Sequence, residues 1–184
     1  MNNLYLYKKI KKKINMSLLK AFLFSLLALM VSNLLLVVIV YASFGRFDII
    51  ISMFTVDAST NLFYQLFTSM GHPIWVSVDK IAYHIVNDNL MFLFLSLIVP
   101  IAPLIAAIVA GRVGEKRIHS FFGVFLTSIV SLIVSMIMTL YIAPYDILIT
   151  SEYLGNGALF IVVGGSLLNG LIFGLIAFFT TKRK

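Results

Sequence analysis

The amino-acid sequence predicts an all-α integral membrane protein: a bundle of about four transmembrane helices with an extracytoplasmic amphipathic helical segment between the first and second. Three observations lead there. Of 184 residues, 61% are hydrophobic and only 11% charged, whereas a soluble domain carries about a quarter charged residues. So few charges cannot cover a water-facing surface. Four charge-free runs are each long enough to cross a bilayer, which needs roughly 20 apolar residues. The basic residues gather beside those runs in the pattern that orients a chain in a membrane.

Residues 1–20 form a basic N-terminal segment with Lys8, Lys9, Lys11, Lys12, Lys13 and Lys20 among apolar residues. It reads as a topology signal that can also rest on anionic headgroups. Met16 is an alternative start, which would leave Lys20 as the only basic flank. Residues 21–44 are the first crossing. Val40-Tyr41-Ala42 has small residues where a signal peptidase reads, but the run exceeds the roughly 7–15 residues of a signal core, so an uncleaved anchor is expected.

Residues 45–89 are the expected extracytoplasmic segment. Leu62, Phe63, Leu66, Phe67 and Met70 recur at helical spacing after the N-cap candidates Asp57, Ser59 and Thr60, and Gly71 and Pro73 then stop the helix. Ile74, Trp75, Val78, Ile81, Ala82 and Ile85 repeat the pattern, with Ser77, Asp79, Lys80 and His84 on other faces. Two amphipathic helices, 58–70 and 74–86, are therefore expected along the outer surface or folded over the bundle. Residues 90–110 are the second crossing, with Pro100 and Pro103 expected to kink it. A basic cytoplasmic turn at 111–120, a third crossing at 121–143, an outer loop at 144–156, a fourth crossing at 157–181 and a basic tail at 182–184 complete the chain.

This threading puts all but Arg46 and Lys80 of the 14 basic residues on one side, and all but Glu115 of the seven acidic residues on the other. The protein is thus expected in the cell membrane, multi-pass, with both termini cytoplasmic. Lys8, Lys9, Arg112, Lys116, Arg117 and Lys182 are the expected lipid headgroup contacts. The bilayer, rather than nucleic acid, accounts for the net charge of +7.

Little chemistry is written in the chain. No cysteine is present, which excludes disulfides and thiolate chemistry. No charged residue lies inside a crossing, although proton relays and many ion-coupled carriers need one there. His72, His84 and Asp88, with Asp79 nearby, are weak metal candidates whose spacing matches no ligand motif, and polar residues on a wet face are the favoured reading. Glu115 and His119 have no neighbouring nucleophile, and Gly111-Arg112-Val113-Gly114 lacks the Lys-Ser/Thr ending of a P-loop. No catalytic residue, metal or cofactor is expected.

The strongest pattern is one of small residues. Gly123, Thr127, Ser131, Ser135 and Thr139 recur every four residues in the third crossing, as do Ser166, Gly170 and Gly174 in the fourth and Ala102, Ala106 and Ala110 in the second. Such ridges line one helix face and allow the close packing that drives helix association in lipid. They serve contacts within the chain or leave one ridge over for a partner or a second copy. Asn33 and Asn169 are the only carboxamides in the crossings, each near its centre. A carboxamide facing hydrocarbon would leave polar groups unpaired, so both are expected to face inward in a polar layer with Ser131 or Ser96.

Two functions follow as expectations. The first is a non-catalytic subunit or accessory protein of a membrane complex, packing through its ridges. The second is a transport component binding an uncharged or weakly polar solute. In size and basic balance the chain resembles the small substrate-binding membrane subunits of vitamin importers, which usually have six crossings. A membrane enzyme ranks last.

Overall fold

The computed structural model describes residues 2–55, 66–67, 69–71, 73–142 and 158–182, with side chains in 17–55, 66–67, 69–71, 73–137 and 162–182. The six helices among these are α1 (Asn2–Ser43), α2 (Phe47–Ser52), α3 (Ile74–Val86), α4 (Leu90–Val113), α5 (Arg117–Ile142) and α6 (Ala158–Thr180). Residues 66–67 and 69–71 are also helical. Four helices are long and apolar enough to cross a membrane, over Ser17–Ser43, Leu90–Val113, Arg117–Ile137 and Val162–Thr180. The outer-loop region 144–156, the proposed N-caps Asp57, Ser59 and Thr60, and His72 lie outside the described residues.

The four long helices pack in the cyclic order α1, α4, α6, α5. They alternate in direction, so α1 and α5 run parallel. One end of the bundle is tied at the turn between α4 and α5. There the backbone N–H of Glu115 reaches Ser17 Oγ at 3.4 Å, and Thr181 Oγ1 donates to Ser120 Oγ at 2.8 Å. The turn is shorter than the polar run 111–120. Helix α4 continues through Gly111 and Arg112 to Val113, and α5 begins at Arg117. Polar side chains do not end a helix at a membrane edge, because long basic side chains can reach water while their backbone stays helical. Likewise, α1 is one helix from Asn2 through the basic segment. Helix α4 also runs unbroken through Pro100 and Pro103, with Pro103 fully buried.

The core is made of small residues. Ala102, Ala106, Ala107 and Ala110 of α4 are fully buried around Leu29, Val37, Val124, Phe173 and Ala177. Leu23, Leu27, Val31, Leu35 and Ile39 of α1 are exposed, as are Leu168, Leu171 and Leu175 of α6. This arrangement, small and polar inside with large and apolar outside, suits a protein whose solvent is lipid.

Helix α3 differs from expectation in which face it packs. Ile74, Ser77, Ile81 and His84 face the bundle, while Val78 and Ile85 are exposed. In water the apolar stripe would turn inward. Beside a bilayer the apolar residues can meet lipid, and Ser77 turns inward instead. The helix ends in a Schellman cap. Asn89 N–H bonds His84 O at 3.0 Å and Asp88 N–H bonds Ile85 O at 3.4 Å, with Asp88 at φ 50°. Because the helix stops at Val86, His84 and Asp88 do not share a helical face.

Candidate functional site

Residues 66–67 and 69–71 lie inside the bundle and not on its surface. Phe67 is 8% exposed and Met70 0%. Asn33 Nδ2 donates to Leu66 O at 2.8 Å and to Ser69 Oγ at 2.7 Å. On the opposite side, Asn169 Oδ1 accepts from Ile74 N–H at 3.3 Å, and Asn169 Nδ2 is 3.5 Å from Met70 O. Ser166 Oγ donates to the same Met70 carbonyl at 3.1 Å, and Ser128 Oγ donates to Ser166 O at 2.6 Å. Asn169 is the midpoint of α6 (Ala158–Thr180). The described residues from Leu66 to Ile74 therefore reach the level of the middle of a long apolar helix. The expected helix over 58–70, placed along the outer surface or folded over the bundle, is helical in its described part but lies within the bundle. A helix break at such depth, here at Pro73, is tolerated where protein buries the backbone and satisfies its polar groups, which the two carboxamides help to do here.

Glycines make the insertion fit. A Cβ on Gly71 would come within 2.9 Å of Ser135 Cβ and 3.0 Å of the Ser131 carbonyl oxygen. One on Gly165 would meet the Pro73 ring, and the Trp75 indole at 2.8 Å. Pro73 precedes α3 with extended geometry. Gly71 and Pro73 thus stop one helical piece and redirect the chain into the next, as the sequence implies, but within the bundle.

The expected site residues distribute as follows. Asn33 and Asn169 both face inward, and each binds the inserted segment instead of the other. Ser131 and Ser135 line its Gly71. Ser96 is buried on α4, but no hydrogen bond among the described residues links it to either asparagine. Gly123 packs on the α1 backbone at Ala21 and Phe22, with a built Cβ only 2.9 Å from Phe22 N. Thr127 bonds back to Gly123 O at 3.0 Å. Gly170 packs against Ser128 and Phe125, and Gly174 against the Phe121 ring. The described ridge residues therefore meet other parts of the same chain; the side chain of Thr139 lies outside the described residues, as do those of Lys8 and Lys9. His84 stacks on Phe92 with ring centroids 5.6 Å apart. Among the described residues no three His, Cys, Asp or Glu side chains cluster as metal ligands would.

Sequence reasoning missed Ser69, Ser128 and the backbone groups of Leu66, Met70 and Ile74. A signal was present. Between Asp57 and Asp79 the chain holds no Asp, Glu, Lys or Arg, and Gly71 and Pro73 interrupt that run. A Gly/Pro-broken apolar stretch too short to cross twice is the pattern of a segment that enters a bundle and returns. No family model, curated protein or solved structure matches this chain.

Proposed function

We propose that this protein is a non-catalytic component of a membrane assembly, a four-crossing bundle with cytoplasmic termini whose interior is sealed by its own segment 66–74. The carrying observation is that Asn33 and Asn169, the only carboxamides of the spans, are both engaged by that segment. A solute at this layer would have to displace the chain's own backbone. The small-residue ridges are spent on internal packing, so a protein partner would meet the large apolar faces of α1 and α6 instead.

A second reading, transport of a small polar solute, draws support from the same layer. Asn33 Oδ1 and Ser131 Oγ are buried without a hydrogen-bond partner among the described residues, and withdrawal of the segment from Leu66 to Ile74 would free further groups beside them. Purification from native membranes in mild detergent, with mass spectrometry of whatever is retained, separates the two. A stoichiometric protein partner supports the first reading. A lone chain that retains a small solute, and loses it in Asn33→Leu while melting normally, overturns it in favour of the second.

A further inference from the structure

At the turn end of the bundle, Arg117 is placed unlike the other described basic residues. It opens α5, and its guanidinium carbon sits 5.4 Å from the centroid of the Phe178 ring on α6. It is half-buried; among the described residues its Nε is closed off without a hydrogen-bond partner, and the one ion pair is Arg46–Asp48, at the far end. Glu115 lies two residues away in the same turn but forms no ion pair with Arg117 among the described residues; a guanidinium held against a lipid-embedded bundle without a paired counter-charge is costly, so an anion supplied from outside would be favoured.

Two neighbours narrow the class of anion. Lys182 is exposed and follows Phe178 by four residues, two residues past the end of α6, where Thr181 N–H still bonds Ala177 O at 3.2 Å. Below these cations the surface is apolar: Ile118 and Phe122, one turn apart on α5, and Phe179 on α6 are all exposed. Cations above apolar rows match an amphiphile with an anionic head. We propose that Arg117 and Lys182 hold the phosphate of one anionic lipid, whose acyl chains lie along Ile118, Phe122 and Phe179. Arg117 supplies the planar fork of donors that grips a phosphate through two bonds, with its aliphatic stem and ring contact fixing the fork in place. Lys182 supplies a point charge.

The test uses the full chain in mild detergent, titrated with phosphatidylglycerol, phosphatidylcholine or inorganic phosphate. Binding is read by native mass spectrometry and by the rise in melting temperature. The wild type should retain phosphatidylglycerol and be protected by it, and by neither of the other two. Arg117→Gln should weaken phosphatidylglycerol binding about tenfold and Lys182→Gln about threefold, while Lys20→Gln and Arg112→Gln stay within about twofold, as expected when one fork and one point charge grip the head. Should Arg117→Gln fail to fold, Arg117→Lys keeps the charge, loses the fork and should still bind more weakly than wild type. Equal losses in all four Gln variants would mean diffuse attraction to a basic surface and overturn the site. Equal protection by inorganic phosphate would overturn the lipid assignment.

Discussion

Replacing Asn33 by leucine tests whether the inserted segment is held where the structure puts it. Leucine keeps the branching and the side-chain heavy-atom count of asparagine, although its methyl groups take more room, so the change removes the hydrogen bonds with an added but smaller packing cost. Two bonds are lost, at 2.8 Å to Leu66 O and 2.7 Å to Ser69 Oγ. At the average of about 0.6 kcal/mol for a hydrogen bond inside a membrane protein, the pair is worth about 1 kcal/mol. The Leu66 carbonyl and Ser69 hydroxyl would then lie in nearly closed surroundings, and an orphaned buried polar group adds about 1–3 kcal/mol. The expected loss is therefore about 2–4 kcal/mol. Melting can be followed through Trp75, the single tryptophan, which neighbours Gly165 beside the insertion. Ser69→Cys in the same background should pass from shielded to reactive toward a thiol reagent once the latch is gone. Adding Ser69→Ala to Asn33→Leu should cost less than the sum of the two singles, because they share a bond. A loss below about 0.5 kcal/mol, the range of an ordinary surface change, with Ser69→Cys still shielded, would refute the latch.

Three further outcomes are expected. Gly123→Ala should cost about 1–3 kcal/mol by thermal melting, since the added carbon meets the α1 backbone and not a movable side chain; Gly164→Ala, which faces open space, should be neutral or stabilising by up to about 1 kcal/mol. Asp88→Gly should preserve or strengthen protection of the last turn of α3 in hydrogen exchange, whereas Asp88→Val should weaken it by about 1–2 kcal/mol, because φ 50° penalises a β-branched residue. The hydrogen bond from Arg46, aided by its charge, holds the Asp48 carboxyl below its ordinary range; a depressed folded-state value contributes stability above the unfolded-state value and loses it as pH falls through the folded one. Both residues are exposed, so any stability in melting that the wild type holds over Asp48→Asn should be small, present from about pH 6 to about pH 8, and gone on the acid side once the carboxyl is protonated.

The long helices were legible in the sequence because uninterrupted apolar length is a property of one segment at a time. Leu90–Ala110 needs no knowledge of its neighbours to read as a span. The ends were less legible: Arg112 and Arg117 are polar yet helical, since the apolar boundary marks the membrane edge while the helix boundary answers to backbone bonding. The inward direction of Asn33 and Asn169 also follows from each residue alone, through the cost of a carboxamide in hydrocarbon. Their partner does not. Both bind backbone groups between Leu66 and Ile74, and main-chain carbonyls and N–H groups leave no trace in residue identity.

The same distinction explains the two departures in the segment between α1 and α4. A helical apolar stripe says that one face avoids water, and it does not say whether protein or lipid receives it. For Leu66, Phe67 and Met70 the receiver is the bundle interior; Val78 and Ile85 face outward instead, and Ser77 is the residue buried at 5% exposure. The deciding feature between the two stretches is what else each carries. The first is followed by Gly71, where a Cβ would strike Ser135 and the Ser131 carbonyl, and Pro73, which seats against Gly165; small residues on both sides permit backbone to enter between helices. The second carries Asp79 and Lys80, both exposed, and two charges on one short helix hold it at the water boundary. Insertion depth in this chain is therefore set by the pairing of glycine with small-residue ridges and by the placement of charge, with hydrophobicity common to both stretches.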